Sequence, residues 1–469
     1  MRSSRTALLT VAGALSFGLL AACSSTGDTT GDDPTDAGAT GSEEKVTLSV
    51  VSLIPGSEQA AFDAFDEQVK QFEAKYPNID VQPEEYEWKA PTFAAQLAGG
   101  TLPDVFEIPL TDAKTLIENQ QLADLDAQYE SLPYADDFNQ TLLDAGRGED
   151  GHVYAIPAKS IYGVALHYNR ALFEQAGLDP DDPPTTWDEV RADAKAIADA
   201  TDAAGYATMA ANNTGGWQLT AATFARGGRT QVANADGTYT ATLDNDGTKE
   251  ALQFLHDLRW EDDSVATDVT LDWGTINQAF AAGQIGMYTS GSDVYTSLVQ
   301  TNGVTGEDYG LTAIPLSDDP DAGVLVGGTM AAVNVKADDA VKDAAMKWID
   351  FYYLAKLLDE DRAVADAKTQ TEAGQPIGTP VLPIFSREQY ETSLEWIKDY
   401  VNVPLDQMKG YTDVMFDQPV VGEPSRSTQE TYALLDPVIQ AVLTDRNADI
   451  DGLLEQANQQ AQALLDQNG

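Results

Sequence analysis

GHVYAIPAKSIYGVALHYNRALFEQAGLDPDDPPTTWDEV, residues 151–190, carries the alternation that decides the fold. YAIP (154–157) and GVALHYN (163–169) read as strands, and the segment ends in a helix start. Thr186 stands three residues before Glu189, the spacing of a capping box, in which each side chain satisfies a backbone N–H that the first helical turn leaves unpaired. Upstream, the strand-like VTLSVVSL (46–53) leads through Pro55-Gly56 into a helix with Phe62, Phe65, Val69 and Phe72 on one face, ended by Pro77. A strand near Ile79–Val81, a short helix bearing Phe93 and Leu97, and PDVFEIP (103–109) follow. Strands alternating with helices predict an α/β fold of parallel sheets covered by helices.

Downstream the reading gives a helix over 247–260, strands IGMYT (285–289), YGLTAIP (309–315) and MAAVNV (330–335), a helix over 338–354 and a final helix over 453–465. Residues 360–425 are rich in Pro and Gly and show no clear period. Asp150-Gly151, Asp236-Gly237 and Asp246-Gly247 read as turns, since none has the alternating ligands of a calcium loop.

The N-terminus addresses the compartment. Arg2 and Arg5 precede a small and apolar run from Ala7 to Ala22 that stops at Cys23, the layout of a signal peptide over 1–22. The run is too short for a spanning helix. Cys23 is the only cysteine, which excludes an internal disulfide, and LAAC (20–23) is similar to a bacterial lipobox, which implies lipidation of Cys23. Residues 24–44 contain no large apolar side chain and cannot offset ordering entropy by burial, so 23–44 is expected to be a flexible tether.

Acidic residues outnumber basic ones by 76 to 27, a net charge of −49 spread along the chain. That balance argues against nucleic acid and against an anionic membrane surface as partners. The three histidines, His152, His167 and His256, have no zinc-site spacing, and no nucleophile elbow, phosphate loop or dinucleotide turn occurs. No cofactor and no metal is expected. A carboxylate pair for glycoside hydrolysis stays open, because with this many acids some pair will lie at a suitable separation.

Residues 151–190, with LPDVFEI (102–108), AFAAGQIGMYTSGS (279–292) and GGTMAAV (327–333), resemble the family 1 extracellular solute-binding proteins, the maltose-binding-protein-like group that serves ABC sugar importers. The resemblance implies two discontinuous α/β lobes joined by a hinge of crossing segments, with a ligand cleft between them. The segments would cross near Tyr162–Tyr168, Thr329–Val335 and Gly374–Ile384. Lobe 1 is then 45–164 plus 330–378, and lobe 2 is 165–329 plus 379–469. It also implies a monomeric, non-enzymatic protein on the outer face of the cell membrane, with ABC permease subunits as partners.

A sugar needs aromatic surface for its C–H faces and carboxylates, amides or hydroxyls for its OH groups. Trp217 stands ten residues before Gly227-Gly228, where the family places a cleft aromatic, and Tyr162 precedes the crossing strand. Glu107 and Asp112 follow the PDVF strand as hydroxyl acceptors. The chain departs from the family in two places: Gly291 is followed by Ser292 and Asp293 rather than Trp, and Gly327-Gly328 by Thr329. Asp293, Tyr295 and Thr329 become hydrogen-bonding candidates, and Trp88, Trp273 and Phe385 alternative aromatic surfaces. The expected ligand is a mono- or oligosaccharide; a polyamine or amino-acid derivative in the same fold, and a lipid-anchored glycoside hydrolase, are the rival expectations.

Overall fold

The computed structural model describes residues 45–468, so the expected signal peptide, Cys23 and the tether lie outside the described residues. Strands β1 (Val46–Val51), β2 (Ile79–Glu84) and β3 (Val105–Pro109) pair in parallel, with β1 in the middle. The helix Gln59–Lys75 covers them by burying Phe65, Val69 and Phe72 at helical spacing. Phe72 meets Trp348 edge-on, with ring centroids 5.2 Å apart, and ties that helix to Asp339–Ile349.

Two long strands cross between the lobes: β4 (Ala155–Asn169) and, later, β10 (Val324–Val333). Between them come β5 (Ala204–Tyr206), the hairpin of β6 (Gln231–Ala233) and β7 (Tyr239–Ala241), β8 (Ile285–Gly291) and β9 (Tyr309–Ala313); β11 (Val420–Gly422) follows. The sheet order is β2-β1-β3-β10-β4-β8-β5, with β11 beside β10 and β9 beside β4. The sheet is therefore mixed rather than parallel. A chain that leaves one lobe and returns must run the opposite way, so β10 pairs antiparallel with both β3 and β4, and β4 antiparallel with β8 and β9.

The two expected strands at 154–157 and 163–169 are one strand. Their pairing with β10 slips between Gly328 and Thr329, opposite Ile161 and Ala158, so Lys159 and Ser160 bulge out of the ladder. Lys159 has φ of +61°, which turns the chain locally without ending the strand. The expected helix over 338–354 also has a break: after Ile349 it widens into a π turn, Asp350–Leu354, that buries Phe351, Tyr353 and Leu354 together. Asp246-Gly247 opens the helix Asp246–Trp260 instead of forming a turn.

Two main cores result. Leu48, Phe72, Val105, Trp348 and Phe351 lie in one, and Leu166, Phe173, Leu252, Leu435 and Ile439 in the other. The stretch that shows no clear period supplies helices Glu360–Glu372 and Arg387–Ile397 and, between them, a strap that touches both lobes. Its Leu382 N–H donates to Ile161 O at 2.7 Å, its Pro380 carbonyl accepts from Ser292 Oγ at 3.1 Å, and its Ile384 carbonyl accepts from Asn139 N–H at 3.0 Å. Among the described residues no helix is long and apolar enough to cross a membrane.

Candidate functional site

Where β4, β8 and β10 meet, a cavity of about 270 Å³ opens between the lobes. Its walls carry Trp88, Trp217, Trp273 and Tyr162, with Glu107, Asp293 and Thr329 among the polar groups. Ordered backbone explains the aromatic corner. Trp217 lies in the first turn of the helix Thr214–Phe224, preceded by Asn212 and Asn213, both with positive φ, and by Gly215-Gly216. A Cβ on Gly216 would lie 2.4 Å from Tyr432 Cα, so only glycine lets this helix touch Thr428–Thr444. Asp436 on that second helix accepts from Asn213 N–H at 2.8 Å and Gly216 N–H at 2.9 Å, a cap supplied from elsewhere in the chain. Tyr162 meets Trp217 edge-on at 6.2 Å and fills the space above Gly291 and Gly327, where added Cβ atoms would sit within 2.8 Å of its ring or hydroxyl.

The carboxylates are held differently. Glu107 accepts from Lys159 Nζ and from Tyr353 Oη, both at 2.8 Å, so the bulge in β4 and the π turn converge on it. Asp112 accepts from Trp88 Nε1 at 3.1 Å. Burial pushes the Asp112 carboxyl up to about 7, against the opposing hydrogen bond from Trp88. Asp293 accepts from Ser160 Oγ at 2.5 Å, and burial raises its pKa. Glu423, just beyond β11, accepts from Tyr432 Oη at 3.0 Å and faces the Trp217 indole; burial lifts it to about 8.

Residues 55–357 match the family of bacterial extracellular solute-binding proteins. The chain belongs to that family. The solute-binding protein also shares segments with curated relatives: it is 27% identical over 163 residues to the sn-glycerol-3-phosphate-binding periplasmic protein UgpB of Yersinia pestis bv. Antiqua (strain Antiqua), covering 33% of this chain and 35% of that one. It thus spans about a third of the length of the curated relatives it matches. In fold it is similar to an ABC transporter solute-binding protein of Thermotoga lettingae bound with α-D-tagatose, at TM-score 0.70 and 19% identity, covering 90% of this chain and 100% of that one. It is similar as well to UgpB of Mycobacterium tuberculosis in complex with glycerophosphocholine, at TM-score 0.67 and 20% identity, with 90% and 98% covered.

Of the residues singled out from the sequence, this solute-binding protein brings Trp217, Tyr162, Glu107, Asp293, Thr329, Trp88 and Trp273 to one cavity. Three lie elsewhere. Asp112 is buried off the cavity wall, held by the indole N–H of Trp88. Tyr295 packs on Tyr309 with centroids 4.7 Å apart, inside a core. Phe385 packs against Phe138, with centroids 4.7 Å apart and the rings tilted, because the strap turns it away from the cleft into the first lobe.

Sequence reasoning passed over Lys159, Ser290, Glu423 and Tyr432, all on the cavity wall. Lys159 and Ser290 had a faint signal, as both fall within the segments that resemble the family; Glu423 lies in the aperiodic stretch and had none. The histidines are held by structure: His167 is buried against Tyr309 Oη at 2.7 Å, and burial lowers it to about 3. Among the described residues no group of three or more His, Cys, Asp or Glu is arranged to hold a metal ion.

Proposed function

We propose that the protein is the binding component of an ABC importer and captures a sugar of one or two rings by closing its lobes on it. The observation that carries this reading is the cavity itself, where Trp217 and Tyr162 offer flat apolar surface beside carboxylates that accept hydroxyl hydrogen bonds. Its volume of about 270 Å³ is just below the usual range of ligand pockets and suits a short saccharide better than a long one. Family membership and the sugar named for the Thermotoga lettingae neighbour support the same reading.

In this reading the lobes are 45–164 with 330–378 and 165–329 with 379–469, hinged where β4, β10 and the 374–384 strap cross. The ligand binds in the open form, both lobes contact it, and the closed form docks on the permease. No bond of the ligand is made or broken, so the protein is not an enzyme. Cys23 carries the lipid and residues 23–44 tether a monomer to the outer face of the cell membrane. Calorimetry of the mature protein against mono- and disaccharides tests the sugar assignment: saturable binding of at least one is expected, and no binding across the panel by folded protein overturns it.

A further inference from the structure

The cavity's charges are unbalanced. Five carboxylates reach its wall against two lysines and no arginine among the described residues. Each lysine already has a carboxylate: Lys159 Nζ lies 2.8 Å from Glu107, and Lys89 Nζ 3.2 Å from Glu87. Asp272, Asp293 and Glu423 are left with neutral donors as hydrogen-bond partners. Asp272 caps the helix Trp273–Ala281 through Thr275 and accepts from Asn212 Nδ2 at 2.9 Å, while Lys89 lends it charge from a distance. Asp293 has Ser160, and Glu423 has Tyr432.

Glu423 is the group best placed to meet a ligand. It lies beside Trp217, the platform for a sugar ring, and Tyr162, whose hydroxyl feels both Glu423 and Asp293. On the same wall Ser290 is fully buried, yet its Oγ has no hydrogen-bond partner, a donor waiting for an acceptor such as a ring hydroxyl. An anion here would meet Asp272, Asp293 and Glu423, none of which has a cation as a hydrogen-bond partner. A cation would pair with one of them and reduce the imbalance, with the Trp217 and Tyr162 rings close by.

We propose that the cleft selects a sugar bearing a basic nitrogen, its ammonium donating to Glu423 while its ring lies against Trp217. This rests on the sugar reading and narrows it. A neutral sugar gains only hydroxyl hydrogen bonds, and an acidic sugar or a phosphodiester is repelled. The raised carboxyls of Glu423 and Asp112 agree, since a bound cation would draw both back towards ionisation.

The test is calorimetry of the full mature chain with matched hexosamine, hexose and uronate in the gluco, galacto and manno series, with spermidine and glycerophosphocholine alongside. In a series that binds, the hexosamine should bind at least about tenfold tighter than the hexose, the gain expected of one charge-assisted hydrogen bond, and the uronate weakest. Added salt should weaken the hexosamine and leave the hexose nearly unmoved. Glu423→Gln should narrow the amine-to-neutral ratio; if that variant does not fold, the salt series alone decides. A hexose as tight as its hexosamine, or a uronate or glycerophosphocholine tighter than both, overturns this inference while a binding hexose keeps the sugar reading. Spermidine binding with no sugar binding, or no binding by any probe, overturns both.

Discussion

Trp217 lies in a wall with Tyr162 nearly at right angles and Glu423 at its indole, and its inner edge packs on two apolar clusters, so its truncation removes stacking surface together with some packing. Trp217→Ala should weaken sugar binding by about 2 kcal/mol, roughly thirtyfold, with the circular dichroism spectrum little changed and the melting temperature lowered by the packing it loses. Glu423 makes a second residue-scale expectation. Folded, it keeps its proton up to about pH 8, whereas its ordinary pKa is 4.5; Asp112 does the same from 3.8 to about 7. Between those values the folded state binds more protons than the unfolded state, so stability is greatest at the acid end and falls as pH rises through the window. Melting temperature should drop between about pH 5 and pH 8.5, and Glu423→Gln should flatten part of that drop. An unchanged slope in the variant would place the effect on the remaining acids. Trp217 was legible from its offset to Gly227-Gly228. Glu423 was not, because what distinguishes it from the other acids is its burial beside Tyr432, which only the tertiary fold supplies.

At the scale of elements, strand positions were legible wherever apolar residues repeat, and the irregularities between them were not. Apolar periodicity found the ends of β4 but split it at Lys159-Ser160, since two polar residues in a bulge break the pattern without breaking the strand. The π turn at Asp350–Leu354 was hidden for the opposite reason: one extra residue per turn leaves an apolar run looking helical. Both irregularities deliver partners to Glu107, so the least legible elements build the site. A β-branched side chain at φ +61° is strongly disfavoured, and it would also leave Glu107 without its cation. Lys159→Ile should therefore destabilise the protein by about 2 kcal/mol in urea unfolding, while Lys159→Gly, which suits the backbone, should cost about 1 kcal/mol or less. Equal losses in the two variants would assign the cost to the ion pair rather than to the backbone.

For the whole molecule, affinity depends on how readily the lobes close, because apparent affinity scales with the fraction of protein in the binding-competent form. Among the described residues the lobes also touch at the cavity rim and beyond it. Arg426 beyond β11 pairs with Glu118 at the end of the helix Leu110–Glu118, next to Gln429 donating to Thr111 Oγ1 at 3.1 Å. Elsewhere Glu58 N–H donates to the Gln300 carbonyl at 2.7 Å, and Ser57 Oγ lies 3.3 Å from Thr301 Oγ1. The Arg426–Glu118 pair is partly exposed, so its own contribution is about 1 kcal/mol or less. Reversing one charge turns that attraction into repulsion, and Glu118→Lys should weaken ligand binding about three- to tenfold without touching the cavity. The loss should appear as a larger radius of gyration by small-angle scattering before ligand is added, and at saturating ligand the radius should return to the wild-type value. Pairing Glu118→Lys with Arg426→Glu restores opposite charges across the mouth and should recover both affinity and radius. An affinity loss with an unchanged radius, or one that the double exchange fails to repair, would remove this pair from the closure equilibrium and leave the hinge strands and the ligand itself to set it.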